Sequence, residues 1–250
     1  LYKNSMNYRP SFMSSIPVVV KNLIIVNVLM LLATFVLEQA GINLYLHLGL
    51  HFPLSEKFRL HQIFTHMFMH ADITHLFFNM FALYMFGRVL ESVWGPRRFL
   101  LFYLVTGLGA ALIHTGVNFL EYYSVTSKMT VEEVAYVKEI GYGIWSEGKN
   151  FTNEVSAKLN LLLNTPTVGA SGAVFGILLG FGMLFPNTQL MLLFPPIPIK
   201  AKYFVIGYGV LELFLGIKGG GNVAHFAHLG GMIFGYFMIK YWNKTLNRFY

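Results

Sequence analysis

Hydrophobic positions in this chain fall in continuous blocks separated by polar stretches, without the two-residue alternation of half-buried strands. A helix that crosses the hydrocarbon of a bilayer needs about 20 mostly apolar residues. Blocks of that length or somewhat shorter run from Ile16 to Leu37, His75 to Leu90, Phe99 to Leu120, Ala170 to Phe185, Tyr203 to Ile217 and His225 to Trp242. The shorter ones are rich in Gly and His, as suits helices enclosed within a bundle, where small residues let backbones approach. The pattern predicts an all-α, polytopic membrane protein with six transmembrane helices in a single domain over residues 1–250. No internal repeat or linker marks off a second unit.

Two longer polar segments interrupt the blocks. Residues 38–74 carry Pro53, several aromatics and a run of histidines, which predicts a loop dipping into the interface. Residues 121–165 read as extramembrane. Within them Thr130 and Glu133 have capping-box spacing, and Val131, Val134, Val137 and Ile140 follow at helical steps, so a short surface helix is expected there.

Composition strengthens the membrane reading. The 250 residues are 55% hydrophobic and 12% charged, with mean hydropathy +0.56; soluble domains carry about a quarter charged residues. Cysteine is absent, which excludes disulfides, thiolate metal sites and a cysteine nucleophile. The net charge of +7 does not point to nucleic acid, because the charges lie between apolar blocks. With the N-terminus inside, only seven of the 18 Lys and Arg fall outside: Lys57, Arg59, Lys128, Lys138, Lys149, Lys158 and Lys218. Four of these share one net-acidic loop, and Lys3, Arg9 and Arg248 are among those inside. The excess of Lys and Arg on inner loops therefore puts both termini in the cytoplasm. The first block lacks a small-residue cleavage site and reads as a retained anchor. Without a transit-like N-terminus, the expected location is a bacterial cytoplasmic membrane.

Polar groups inside apolar spans are where chemistry is to be sought. Gly169-Ala170-Ser171-Gly172 opens the fourth span, with Ser171 in the first helical turn, where backbone amides are unpaired and can face an oxyanion. Gly172, Gly176 and Gly180 then recur every fourth residue. His228, Gly231 and Gly235 share a face of the sixth span. If the two glycine stripes pack together, His228 comes within reach of Ser171, the requirement for a base activating a hydroxyl nucleophile. His225 lies a turn nearer the helix end and is the less favoured base. His75 and Asn79, four apart on the second span, can both donate to a developing negative charge, and His70 stands just before that helix. A packing stripe or interhelical hydrogen bonding explains each motif equally well in isolation. A metal site among His61, His66, His70, His75, His225 and His228 lacks a His-Glu-x-x-His signature. His47, His51 and His114 are expected to be hydrogen-bonded core residues.

Taken together, His70-x4-His75-x3-Asn79, Gly169-x-Ser171-Gly172 and Ala227-His228-x2-Gly231 resemble the rhomboid family of intramembrane serine proteases, over nearly the whole chain. The resemblance implies a rhomboid-like bundle with Ser171 as nucleophile and His228 as general base, without a third acidic member. It implies an oxyanion hole formed by His75, Asn79 and the Ser171 amide, supported by His70, Gly169 and Gly172, and Phe175 packed on the catalytic ring. It implies neither metal nor cofactor, and as partners the bilayer and other transmembrane proteins. Two features depart from the family pattern: His61-Gln62 stand where many members carry Trp-Arg, and residues 121–166 exceed the minimal core. The alternatives are a catalytically silent helix-binding relative and a membrane transporter; against the latter, Glu212 is the sole acidic residue well inside a span. Nothing in the sequence indicates an oligomeric state.

Overall fold

The computed structural model describes residues 16–191, 196–218 and 225–246; Lys3, Arg9 and Arg248, which entered the charge bias, lie outside them. The helices are α1 (Val18–Gln39), α2 (Leu44–Leu48), α3 (Gln62–Thr65), α4 (Ile73–Ala82), α5 (Arg88–Trp94), α6 (Pro96–Thr126), α7 (Val131–Ser146), α8 (Glu154–Asn164), α9 (Ser171–Leu184), α10 (Ala201–Lys218) and α11 (His225–Leu246). A wide π turn over Leu83–Gly87 joins α4 to α5 in one rod, Ile73–Trp94. Between α9 and α10, β1 (Gln189–Met191) and β2 (Pro198–Lys200) form a small antiparallel hairpin with Leu190 opposite Ile199. The protein is a helical, polytopic membrane protein. Among the described residues, three helices are long and apolar enough to cross a bilayer by length and composition: Val18–Gln39, Ile73–Trp94 and Pro96–Thr126.

Each apolar block of the sequence lies in a helix, but the segment after the third is more ordered than the pattern suggested. α6 continues to Thr126, and α7 is followed by a second helix, α8. The Thr130 side chain accepts from the Glu133 amide at 3.2 Å while the Glu133 carboxylate accepts from the Thr130 amide at 2.8 Å, the reciprocal cap that starts α7. Asn153 caps α8 by accepting from Val155 and Ser156 N–H, a signal overlooked because the periodicity of α8 is short. Val125, Val137, Leu159 and Leu163 enclose Phe52 in a satellite core, and Lys57 sits 3.4 Å from the Tyr142 ring centroid. The insertion thus clamps the loop between α1 and α4.

α6, α9 and α11 pack against one another at the centre. α9 is buried almost along its length, and its glycines permit this. A Cβ on Gly172 would strike Ala110, one on Gly176 would strike Thr106, and one on Gly231 would run into the Gly172 carbonyl. On the outside, Leu29, Leu32 and Val36 of α1 and Ile206, Val210, Phe214 and Ile217 of α10 are exposed. Such apolar faces would be an anomaly in water and are the expected lipid contact in a bilayer. Glu91, buried in α5, fixes the start of α1: its two carboxylate oxygens accept from Val19 N–H (2.9 Å) and Val20 N–H (2.8 Å), satisfying amides that no side chain of α1 caps.

Candidate active site

Three segments converge on Ser171, and each is held by identifiable bonds. The loop between α1 and α4 is organised by Gln62, which is wholly buried. Its Oε1 accepts from Arg59 N–H (3.1 Å) and His51 N–H (3.3 Å), and its Nε2 donates to Lys57 O (3.0 Å) and Leu46 O (3.2 Å). One neutral amide therefore supports the loop at the position where the family pattern has Trp-Arg. The loop in turn holds the strand leading to Ser171: Leu50 and Thr167 exchange backbone hydrogen bonds at 2.9 and 2.8 Å, and Gly169 N–H donates to His66 O at 3.0 Å. Gly169 has φ +128°, and a Cβ there would lie 2.8 Å from the His75 ring. Both its backbone angle and the close approach of His75 require glycine.

Ser171 is the first residue of α9, which has no side-chain cap; Val174 N–H makes the first bond of the helix, to Ala170 O. The amides before it are free to face a ligand. On α11, which crosses α9 where Gly231 meets Gly172, His228 Nε2 lies 2.9 Å from Ser171 Oγ. Phe175, one turn beyond Ser171, stacks on the His228 ring with centroids 4.1 Å apart and planes 5° apart. Tyr208 of α10 stacks on the far side of Phe175 at 5.1 Å. The imidazole is thus held flat against a two-ring stack, which restricts its rotation.

α4 brings the remaining residues. Asp72 caps it by accepting from His75 N–H at 2.8 Å. Ala71 N–H points at His75 Nδ1 (3.4 Å), which leaves Nε2 as the protonated, donating nitrogen, and that edge of the ring lies over Gly169. Asn79, one turn on, is buried and its Nδ2 has no hydrogen-bond partner. A donor left unpaired in the interior is costly and is suited to an acceptor that arrives with a substrate. His70 packs edge-on to His75 at 4.9 Å, and its backbone carbonyl accepts from the Tyr45 hydroxyl at 2.9 Å. Burial, reinforced by the neighbouring His75, pushes His70 down to about 3, and burial pushes His66 to about 4; both are neutral at ordinary pH. A small cavity beside Ser171 is walled by His66, His114, Thr167, Gly169 and Gly172. Of the histidines expected to be core residues, His51 bonds Gly49 O (3.2 Å) and His114 bonds Thr167 Oγ1 (2.9 Å), whereas His47 is exposed, so that expectation fails for it.

One residue of the cluster was missed in the sequence. Glu212 of α10 is buried, and its Oε2 lies 2.7 Å from His225 Nδ1 and 3.0 Å from His228 Nδ1. The contact to His225 is a well-formed hydrogen bond. The one to His228 has the distance but not the alignment, so Nδ1 makes no linear bond. The resemblance implied no acidic third member, and here a carboxylate stands behind the ring. The available signal was the lone acidic residue inside a span, which is costly there and asks for a partner. Glu212, His225 and His228 are also the group, among the described residues, whose possible ligand atoms all lie within 4.8 Å of one another. His225 Nδ1 is hydrogen-bonded to the carboxylate, and His228 Nδ1 faces the same oxygen.

The site is therefore a serine and a histidine in contact at one end of a helical membrane bundle, with donor groups from a third helix alongside. The comparisons with known proteins agree with that class. The Rhomboid domain family profile matches residues 57–244. The chain is 34% identical over 178 residues to RHOMBOID-like protein 12, mitochondrial, of Arabidopsis thaliana, an overlap covering 69% of this chain and 44% of that protein. It is 28% identical over 179 residues to Rhomboid protease AarA of Providencia stuartii (68% and 51%), and 24% identical over 181 residues to Rhomboid protein 1, mitochondrial, of Saccharomyces cerevisiae (72% and 41%). This chain belongs to the rhomboid family. It spans about half the length of these relatives. Two of the three names carry the word mitochondrial, so the expectation of a bacterial cytoplasmic membrane is not supported. That expectation rested on the N-terminal stretch alone, which cannot decide a compartment.

Proposed function

We propose that the chain is an intramembrane serine endopeptidase that cuts peptide bonds in or near transmembrane segments of other membrane proteins. The observation that carries this reading is the 2.9 Å contact between Ser171 Oγ and His228 Nε2 at the start of a buried helix. Ser171 donates its proton to His228 Nε2 as its oxygen attacks the scissile carbonyl carbon. The oxyanion that forms is met by the Ser171 amide, His75 Nε2–H and Asn79 Nδ2, donors oriented before the charge arrives. His228 returns the proton to the leaving amine, and water then releases the acyl group by the reverse sequence. The steps as proposed call on neither a metal nor a cofactor.

A silent helix-binding role makes no use of the Ser–His contact or of the unpaired Asn79 amide. With six spans both termini would lie on one side, opposite the site, and the charge bias would make that the side on which positive loops are retained. The test is cleavage of a single-span reporter by purified protein in liposomes. Wild type is expected to cut while Ser171→Ala and His228→Ala, folded to the same melting temperature, do not. Equal cleavage by Ser171→Ala would sink the reading.

A further inference from the structure

We propose that Glu212 is a third member of the site, a positioning residue. Its carboxylate keeps the proton of His228 on Nδ1 and offsets the charge of the ring when Nε2 takes the Ser171 proton, while His225 fixes the carboxylate. The inference rests on the protease reading above and adds to it a triad in place of a dyad.

A neutral imidazole carries one proton, on one of two nitrogens. Only the form with the proton on Nδ1 leaves Nε2 bare to accept from Ser171, so a working base needs something that selects that form. Behind His228 the group facing Nδ1 is a carboxylate oxygen at 3.0 Å, which accepts and cannot donate. It selects the productive form. The angle at Nδ1 is poor in the free protein, as is common for hydrogen bonds that tighten only when charge forms.

The surroundings leave Glu212 little other purpose. It is 5% exposed within an apolar helix, where an ionised side chain persists only with partners. Its partners are the two histidines at the start of α11. His225 makes the shorter, straighter bond (2.7 Å) to the same Oε2, which prevents the carboxylate from swinging away from His228. One turn earlier on α10, Tyr208 backs the Phe175 ring on which His228 stacks. α10 thus supplies both the backing of the ring stack and the acceptor behind the ring.

The decisive comparison is Glu212→Gln with Glu212→Ala. Glutamine keeps the volume but can turn an NH2 toward Nδ1, which would drive the His228 proton to Nε2 and abolish the base. In serine-protease triads the corresponding carboxylate-to-amide change lowers kcat about 10⁴-fold. The expectation here is a loss of roughly 10²–10⁴-fold in kcat for Glu212→Gln, with KM within about two-fold and melting close to wild type. Glu212→Ala, with no competing donor, is expected to retain at least as much kcat despite a lower melting temperature. A merely structural Glu212 gives the opposite order, with the isosteric Gln variant near wild type and the Ala variant worst.

Nitrogen NMR of histidine-labelled protein in liposomes, with His228 assigned by its disappearance in His228→Ala, reads the proton position without catalysis. Nδ1–H in wild type and Nε2–H in Glu212→Gln support the inference. The same form in both proteins, or kcat of Glu212→Gln within three-fold of wild type, overturns it. Ser171→Ala in the same series keeps the two proposals apart. An inactive wild type would count against the protease reading, while the NMR comparison would still decide what Glu212 does to the ring.

Discussion

The contact between Gly231 and Gly172 offers a sharp perturbation, because the two helices that carry His228 and Ser171 touch there backbone to backbone. A Cβ added at Gly231 would lie far inside contact distance of the Gly172 carbonyl oxygen and carbon. Real Cβ atoms essentially never come within 3.0 Å of such atoms, so α11 must retreat from α9 by about an ångström. Forcing a methyl into such a contact typically costs ~1–3 kcal/mol. The retreat would also stretch the Ser171–His228 separation from 2.9 Å to about 4 Å, beyond hydrogen-bond range. A misplacement of that size lowers a rate by roughly 10²-fold. Gly231→Ala should therefore melt several degrees below wild type and cleave a transmembrane reporter about 10²-fold more slowly. Gly116→Ala on α6 is the control: a Cβ there meets nothing within 4 Å, so stability should hold or rise by up to ~1 kcal/mol with cleavage unchanged. Wild-type cleavage by Gly231→Ala would refute the view that this close crossing sets the geometry of the site.

Asn79→Ala removes a buried donor that has no partner in the free protein, so melting should hold or improve while kcat falls ~10²–10³-fold, the usual loss for one oxyanion donor. Glu91→Ala leaves the Val19 and Val20 amides at the start of α1 unpaired; at ~1–3 kcal/mol for each, thermal unfolding in detergent should drop markedly, and Glu91→Gln, keeping one carbonyl acceptor, should drop less. Acid should destabilise the protein through the loop between α1 and α4. His66 and His70 are held at about 4 and about 3 in the folded chain, against 6.5 when unfolded. Because the folded values are the lower ones, the unfolded state binds protons first. Their stability is complete above about pH 6.5 and is lost on acidification at ~1.4 kcal/mol per pH unit per group until the folded values are reached. Melting temperature measured from pH 7 down to pH 5 should fall, and a His66→Gln/His70→Gln variant should flatten the curve.

How far the sequence carried depends on which physical rule each feature obeys. The helices were legible because long apolar blocks have few other solutions in a bilayer. The meeting of α9 and α11 was legible because glycines at four-residue steps on both helices admit one close crossing. The capping box at Thr130 and Glu133 located α7, whereas α8 was missed although Asn153 offered a cap, since one cap residue without a long period is a weak signal. The support of the first loop could not be read. Gln62 acts through backbone groups brought together by a folded loop, and no spacing rule encodes four such partners. Glu212 was visible as a lone intramembrane carboxylate, but its distance from His228 along the chain gave no hint of contact, and the resemblance to a family without a third acidic member turned attention away from it. The proposed orientation in the membrane rests on charge counting alone, which ranks the two sides without touching the site.

Covalent labelling of the nucleophile tests the central claim most directly. A fluorophosphonate reacts only with a serine whose hydroxyl is activated: the oxygen bonds to phosphorus, fluoride leaves, and the base takes the proton. Purified protein in liposomes should gain one phosphonyl group, mapped by mass spectrometry to Ser171, and His228→Ala should gain none at matched time and concentration. An adduct elsewhere, or equal labelling of Ser171 in His228→Ala, would contradict the account.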